Sequence, residues 1–170
     1  LEKEGVVLLK NDNHALPLTK PNVNVFGWAS TKAGFKTCGS GSGDSATHSN
    51  GSVPTISFLE ALKEAGFKTN SSLTQIYERF KSKDDRGGSL GTPSDSFFKL
   101  YEPDVSVYTN SVMNQAKNFS DTAIVVLGRS GGEGQDLPRY QTFDTGSSRA
   151  DGKIGYDYGR TYLEISQREE

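Results

Sequence analysis

Apolar positions along the chain follow two periods. Residues 23–28 (Val-Asn-Val-Phe-Gly-Trp) and 122–128 (Thr-Ala-Ile-Val-Val-Leu-Gly) are short, β-branched runs ending near glycine, which predicts strands. The second run is continuously apolar and reads as a strand buried on both faces, as in a parallel sheet. Between them the spacing turns helical. Ile56, Leu59, Leu62 and Ala65 share one side of a helix over 56–65, with Gly66 as its C′ glycine. Leu73, Ile76, Tyr77 and Phe80 predict a second helix capped by Ser71 or Ser72. Val105, Tyr108, Val112, Met113, Ala116 and Phe119 form a third stripe, read as core packing, that leads into the second strand. Strands alternating with helices define an α/β class.

The remaining segments are polar. Residues 81–93, with Asp84-Asp85-Arg86-Gly87-Gly88-Ser89, read as an exposed connection. After Pro138, Tyr140, Phe143, Tyr156, Tyr158 and Tyr162 are spread among glycines and aspartates and read as a loop covering a sheet end, with sugar stacking as the functional alternative. Ser166, with Glu169 three residues on, predicts the start of a final helix. A chain of 170 residues with 33% hydrophobic content supports one core, so residues 1–170 are expected to form one domain.

Charge and cysteine content narrow the function. A net charge of −2 and a pI near 5.8 leave no basic footprint, which excludes nucleic acid as an expected partner. No apolar run approaches the roughly 18 residues of a membrane span. Cys38 is alone, so neither an intrachain disulfide nor a cysteine-based metal site is expected. His14 and His48 are too few for a metal centre, and no cofactor is expected. Sequons at Asn50, Asn70 and Asn118 arise readily in a chain rich in Asn, Ser and Thr, and localisation stays open.

The most informative residue is Glu133. It stands in Arg129-Ser130-Gly131-Gly132-Glu133-Gly134-Gln135-Asp136, directly after the second predicted strand. Ligands gather at such strand ends in α/β sheets, and flanking glycines leave a substrate room beside the carboxylate. A Glu between glycines is, on composition alone, equally a solvated loop residue. The whole octapeptide, however, resembles the acid/base segment of glycoside hydrolase family 3, which includes β-glucosidases and β-xylosidases.

Other segments match the same family in order. Glu4-Gly5-Val6-Val7-Leu8-Leu9-Lys10-Asn11-Asp12 with Ala15-Leu16-Pro17-Leu18 resembles the opening of the family's second domain, and Val23-Asn24-Val25-Phe26-Gly27 the strand that follows. Cys38-Gly39-Ser40-Gly41-Ser42 resembles the glycine- and serine-rich loop on the aglycone side of the pocket, and residues 58–67 the helix after it. The resemblance is clear to about residue 67 and from about 118 to 139. The segments 81–102 and 143–157 are longer than the family's shorter forms. The family implies a three-layer α/β/α sandwich with a mostly parallel sheet, here expected to be incomplete at the C-terminus and to follow a barrel domain absent from the chain.

The resemblance also implies a reaction. A retaining glycosidase needs two carboxyl groups about 5 to 5.5 Å apart, one attacking the anomeric carbon and one protonating the leaving oxygen. Glu133 is the implied acid/base, and the nucleophile is an Asp of the barrel. The substrate is thus a β-glycoside or oligosaccharide, and the fragment alone is expected to be inactive. Ser40, Ser42 and Asp136 are candidate substrate-binding residues, although tight-turn and loop-ordering roles compete with that reading. The expected unpaired sheet edge suggests self-association.

Two other classes compete. A phosphate binder is disfavoured because 128–134 lacks the Lys-Ser/Thr ending of a P-loop and 39–43 lacks GxGxxG spacing. The second is a non-catalytic carbohydrate-binding or interaction domain that keeps the fold.

Overall fold

The computed structural model describes residues 4–31, 56–80, 99–100, 102–128, 139–144, 154–161 and 164–165. Strand β1 (Asn22–Phe26) lies at the centre of a three-stranded, all-parallel sheet. On one side it pairs with β2 (Lys68–Thr69), through Asn22 with Lys68 and Val23 with Thr69. On the other it pairs with β4 (Ala123–Val125), in the register Asn24–Ala123, Val25–Ile124 and Phe26–Val125. A second sheet joins β3 (Lys99–Leu100) in parallel to β5 (Tyr140–Asp144), which pairs antiparallel with β6 (Ile154–Thr161). Helices and a parallel sheet alternate as the α/β reading requires.

The hairpin of β5 and β6 corrects the reading of 140–162 as a covering loop. Its strands carry glycines and aspartates that have low strand propensity, and their pairing is a tertiary property that local composition does not show. The segments 81–98 and 166–170, including the predicted final helix, lie outside the described residues.

Helix α1 (Phe58–Glu64) opens with a capping box, in which Ser57 Oγ accepts from the Glu60 N–H and the Glu60 carboxylate accepts from the Ser57 N–H. It closes with a Schellman motif, in which the Gly66 N–H donates to the Lys63 carbonyl and the Phe67 N–H to the Leu62 carbonyl. Gly66 takes φ +86°, as its C′ position requires. Ile56 is exposed, because the chain is still extended ahead of the Ser57 cap.

Helix α2 (Ser71–Phe80) is capped by Asn70, whose Oδ1 accepts from the Ser72 and Leu73 N–H groups at 3.0 and 3.4 Å. The cap thus falls ahead of the predicted Ser71 or Ser72, which are the first two residues of the helix. The 105–119 stripe divides into a 3₁₀ turn, Val105–Val107, and helix α3 (Asn110–Phe119) capped by Thr109. Helices α2 and α3 contact each other and both contact β1, while α1 contacts β2. Ser72 Oγ donates to Gln115 Oε1 across the α2–α3 contact.

The core gathers on β1. Val23, Val25, Trp28, Leu73, Tyr77 and Ala116 are buried. Since side chains alternate across a strand, Asn24 and Phe26 share the face that meets α2 and α3. Asn24 Nδ2 donates to the carbonyls of Ala116 and Ser120 at 2.9 Å, and Asn24 Oδ1 accepts from Asn70 Nδ2 at 3.1 Å. One buried amide thereby joins the strand to the end of α3 and the start of α2.

Strand β4 departs from the expected burial on both faces. From Asp121 to Gly128 exposure alternates, with Ala123, Val125 and Leu127 exposed and Ile124 and Val126 half-buried. Among the described residues, β4 pairs with β1 alone and no helix makes an extensive contact with it, so one of its faces is left open.

Candidate functional site

The strand order β2–β1–β4 places the site. From β1 the chain passes through α1 to β2 on one side, then crosses back through α2 and α3 to β4 on the other. The direction of winding reverses between β1 and β4, and the C-terminal ends of such a strand pair are the position where doubly wound sheets bind ligands. The two glycine-rich segments singled out in the sequence leave from these two strand ends, one beyond Thr31 and the other beyond Gly128. The structure thus brings their points of departure together. Ser40, Ser42, Glu133 and Asp136 themselves lie outside the described residues, as do Arg129, Cys38 and His48.

The two departing turns are interlocked. Beyond Phe26, the Val126 N–H donates to the Phe26 carbonyl at 2.9 Å and extends the parallel ladder. Gly27 takes φ +102°, and a Cβ at this position would fall on the Val126 carbonyl oxygen. A Cβ on Gly128 would in turn come within 2.8 Å of the Ala29 Cβ. Both positions therefore require glycine for close approach.

After Gly27 the chain forms a 3₁₀ turn, Trp28–Ser30, held by its own side chains. Ser30 Oγ donates to the Gly27 carbonyl at 2.7 Å and Thr31 Oγ1 to the Trp28 carbonyl at 2.8 Å, both buried. The Trp28 N–H stands at the start of this turn. It donates to Glu102 Oε1 at 2.9 Å. Glu102 is only 7% exposed.

Beneath this turn lies an aromatic cluster. Trp28 and Tyr77 are buried, and Phe26 and Tyr108 pack against them. Tyr108 stands 6.3 Å from Phe26 and 6.4 Å from Tyr77 between ring centroids, in tilted arrangements that suit the ring quadrupoles. The Tyr77 and Tyr108 hydroxyls share a short hydrogen bond. Burial raises both hydroxyls above the ordinary tyrosine range. The bond to Tyr108 raises Tyr77 further, the same bond lowers Tyr108, and the Glu102 charge raises both.

Sequence reasoning missed several of these residues. Glu102 follows the 81–93 connection read as exposed, and no local pattern marks it as a buried carboxylate. Asn24 carried a readable signal, since a lone amide inside an apolar strand must find partners when buried. Ser57-Phe58-Leu59-Glu60 has the capping-box pattern.

Among the described residues no group of three His, Cys, Asp or Glu side chains could hold a metal ion. No described helix is long and apolar enough to cross a membrane.

Helices alternating with a parallel sheet define the chain as an α/β domain. The chain belongs, more particularly, to the glycosyl hydrolase family 3 C-terminal domain, whose family model matches residues 6–150. That span includes both glycine-rich segments. No curated protein and no solved structure gives a significant match.

Proposed function

We propose that this domain supplies the general acid/base of a retaining glycoside hydrolase that cleaves terminal β-linked sugars, in the manner of a β-glucosidase. The observation that carries the proposal is the meeting of the two turns, Gly27–Thr31 and Val126–Gly128, at the switch point of a family 3 C-terminal domain. The Glu133 segment follows the second turn directly. Its carboxyl protonates the leaving oxygen in the first step, then accepts a proton from water as the glycosyl-enzyme intermediate is hydrolysed. A nucleophile carboxylate nearby raises the pKa of Glu133 in the resting enzyme, and esterification of that nucleophile removes the repulsion. Ser40, Ser42 and Asp136 are proposed to contact substrate.

The nucleophile is proposed to be an Asp of an N-terminal barrel domain. The exposed apolar residues Val6, Val7, Leu8 and Leu9 support association with such a partner, since a contiguous run of this kind is characteristic of interaction surfaces. The domain by itself then has no glycosidase turnover.

The test is kinetic. In the full-length enzyme, Glu133→Gln lowers kcat/KM for a glycoside with a poor leaving group by about 10²- to 10⁴-fold, the usual contribution of general acid catalysis. A dinitrophenyl glycoside, whose leaving group needs no proton, loses far less. Equal losses on both substrates would remove the acid role from Glu133.

A further inference from the structure

Glu102 is a buried carboxylate to which the proposed chemistry gives no part. It lies in the segment before α3, far in sequence from both glycine loops, yet its Oε1 accepts the Trp28 N–H at the start of the turn that closes β1. That turn is the surface against which Gly128 packs, through the Ala29 Cβ. A buried carboxylate is costly to desolvate, and its hydrogen bond to the Trp28 N–H joins two segments far apart in the sequence.

Resting on the functional reading above, we propose that Glu102 is a positioning residue for the glycosidase reaction: by holding the Trp28 N–H it fixes the β1 turn, and through Ala29 and Gly128 it fixes the departure of the segment that carries the acid/base. Glu102 touches no reacting atom. Its effect passes through two contacts, the hydrogen bond to Trp28 and the close approach of Ala29 to Gly128. A small misplacement of a proton donor lowers the rate of the step it serves more than it weakens ground-state binding.

The experiment compares variants of the full-length enzyme on glycosides with poor and good leaving groups. Glu102→Ala is expected to lower kcat for the poor leaving group by about tenfold to a hundredfold, with KM little changed and a smaller loss on the good one. Glu102→Gln keeps an oxygen acceptor for the Trp28 N–H and is expected to recover most of that loss. A second pair does not touch Glu102. Gly128→Ala, which presses a methyl group on Ala29, is expected to give the same leaving-group signature, and adding Ala29→Gly is expected to relieve it.

If Glu102→Ala does not fold, the Gly128 pair decides the proposal through the shared turn. Unchanged kcat in a folded Glu102→Ala, equal losses in the Gln and Ala variants, or failure of Ala29→Gly to rescue Gly128→Ala would each overturn it. Glu133→Gln on the same substrates separates the two ideas. If it shows the leaving-group signature and the positioning variants do not, only the role of Glu102 fails; if it shows none, the functional reading fails and this inference falls with it.

Discussion

Asn24 uses both amide hydrogens and its oxygen in buried contacts, so its loss has several consequences at once. Asn24→Leu leaves the Ala116 and Ser120 carbonyls without that donor and the Asn70 amide without its acceptor. Leaving buried polar groups unsatisfied costs about 1–3 kcal/mol each, and partial relaxation brings the expected total to about 3 kcal/mol. Denaturant unfolding of the protein checks it, and a loss under about 1 kcal/mol would mean that water replaces the amide. At this scale the sequence was partly legible. Gly66 as a C′ residue and Tyr108 and Ala116 as core positions were readable because local spacing determines them. Glu102 and the partners of Asn24 were not, because each depends on residues distant in the chain.

At the scale of elements, helix ends are where local chemistry acts. Gly66→Ala forces a Cβ into a left-handed conformation with open space around it, so the expected cost is about 1 kcal/mol from backbone strain alone. Ser57→Ala removes half of the α1 capping box and costs about 1 kcal/mol. Gly27→Ala is expected to be far worse than either, since its Cβ meets backbone rather than space. Thermal melts should place Gly27→Ala well below the other two, and a Gly27→Ala melt equal to that of Gly66→Ala would show that the β1 and β4 turns separate easily. Helix existence was readable from periodicity. The hairpin Tyr140–Asp144 with Ile154–Thr161 was not, because its strands follow no clean apolar alternation.

For the whole molecule, the parallel sheet brings together the turns at 27–31 and 126–128, about a hundred residues apart, from which the two glycine-rich segments continue, a placement that composition could not reveal. The family resemblance identified both segments, and membership over residues 6–150 supports the α/β fold. The aromatic cluster below the switch point also gives the fold a pH dependence. Tyr77 and Tyr108 are held neutral by burial, so their folded pKa values exceed the ordinary value of about 10. The stabilisation they give is complete below that value and is lost as pH rises above it, because the unfolded chain releases these protons first. Tyrosinate absorbance for these two residues should therefore appear together with loss of helix signal. Their ionisation in a fully folded chain would contradict the buried pair.

The central claim concerns Glu133, and trapping of the intermediate tests it most directly. In a Glu133→Ala variant of the full-length enzyme, a glycoside with a good leaving group still forms the glycosyl-enzyme, but water lacks its base. Azide needs no base, so it should accelerate turnover and yield a glycosyl azide of retained configuration. If azide leaves the rate unchanged and no azide adduct forms, Glu133 is not the acid/base and the domain contributes its fold alone.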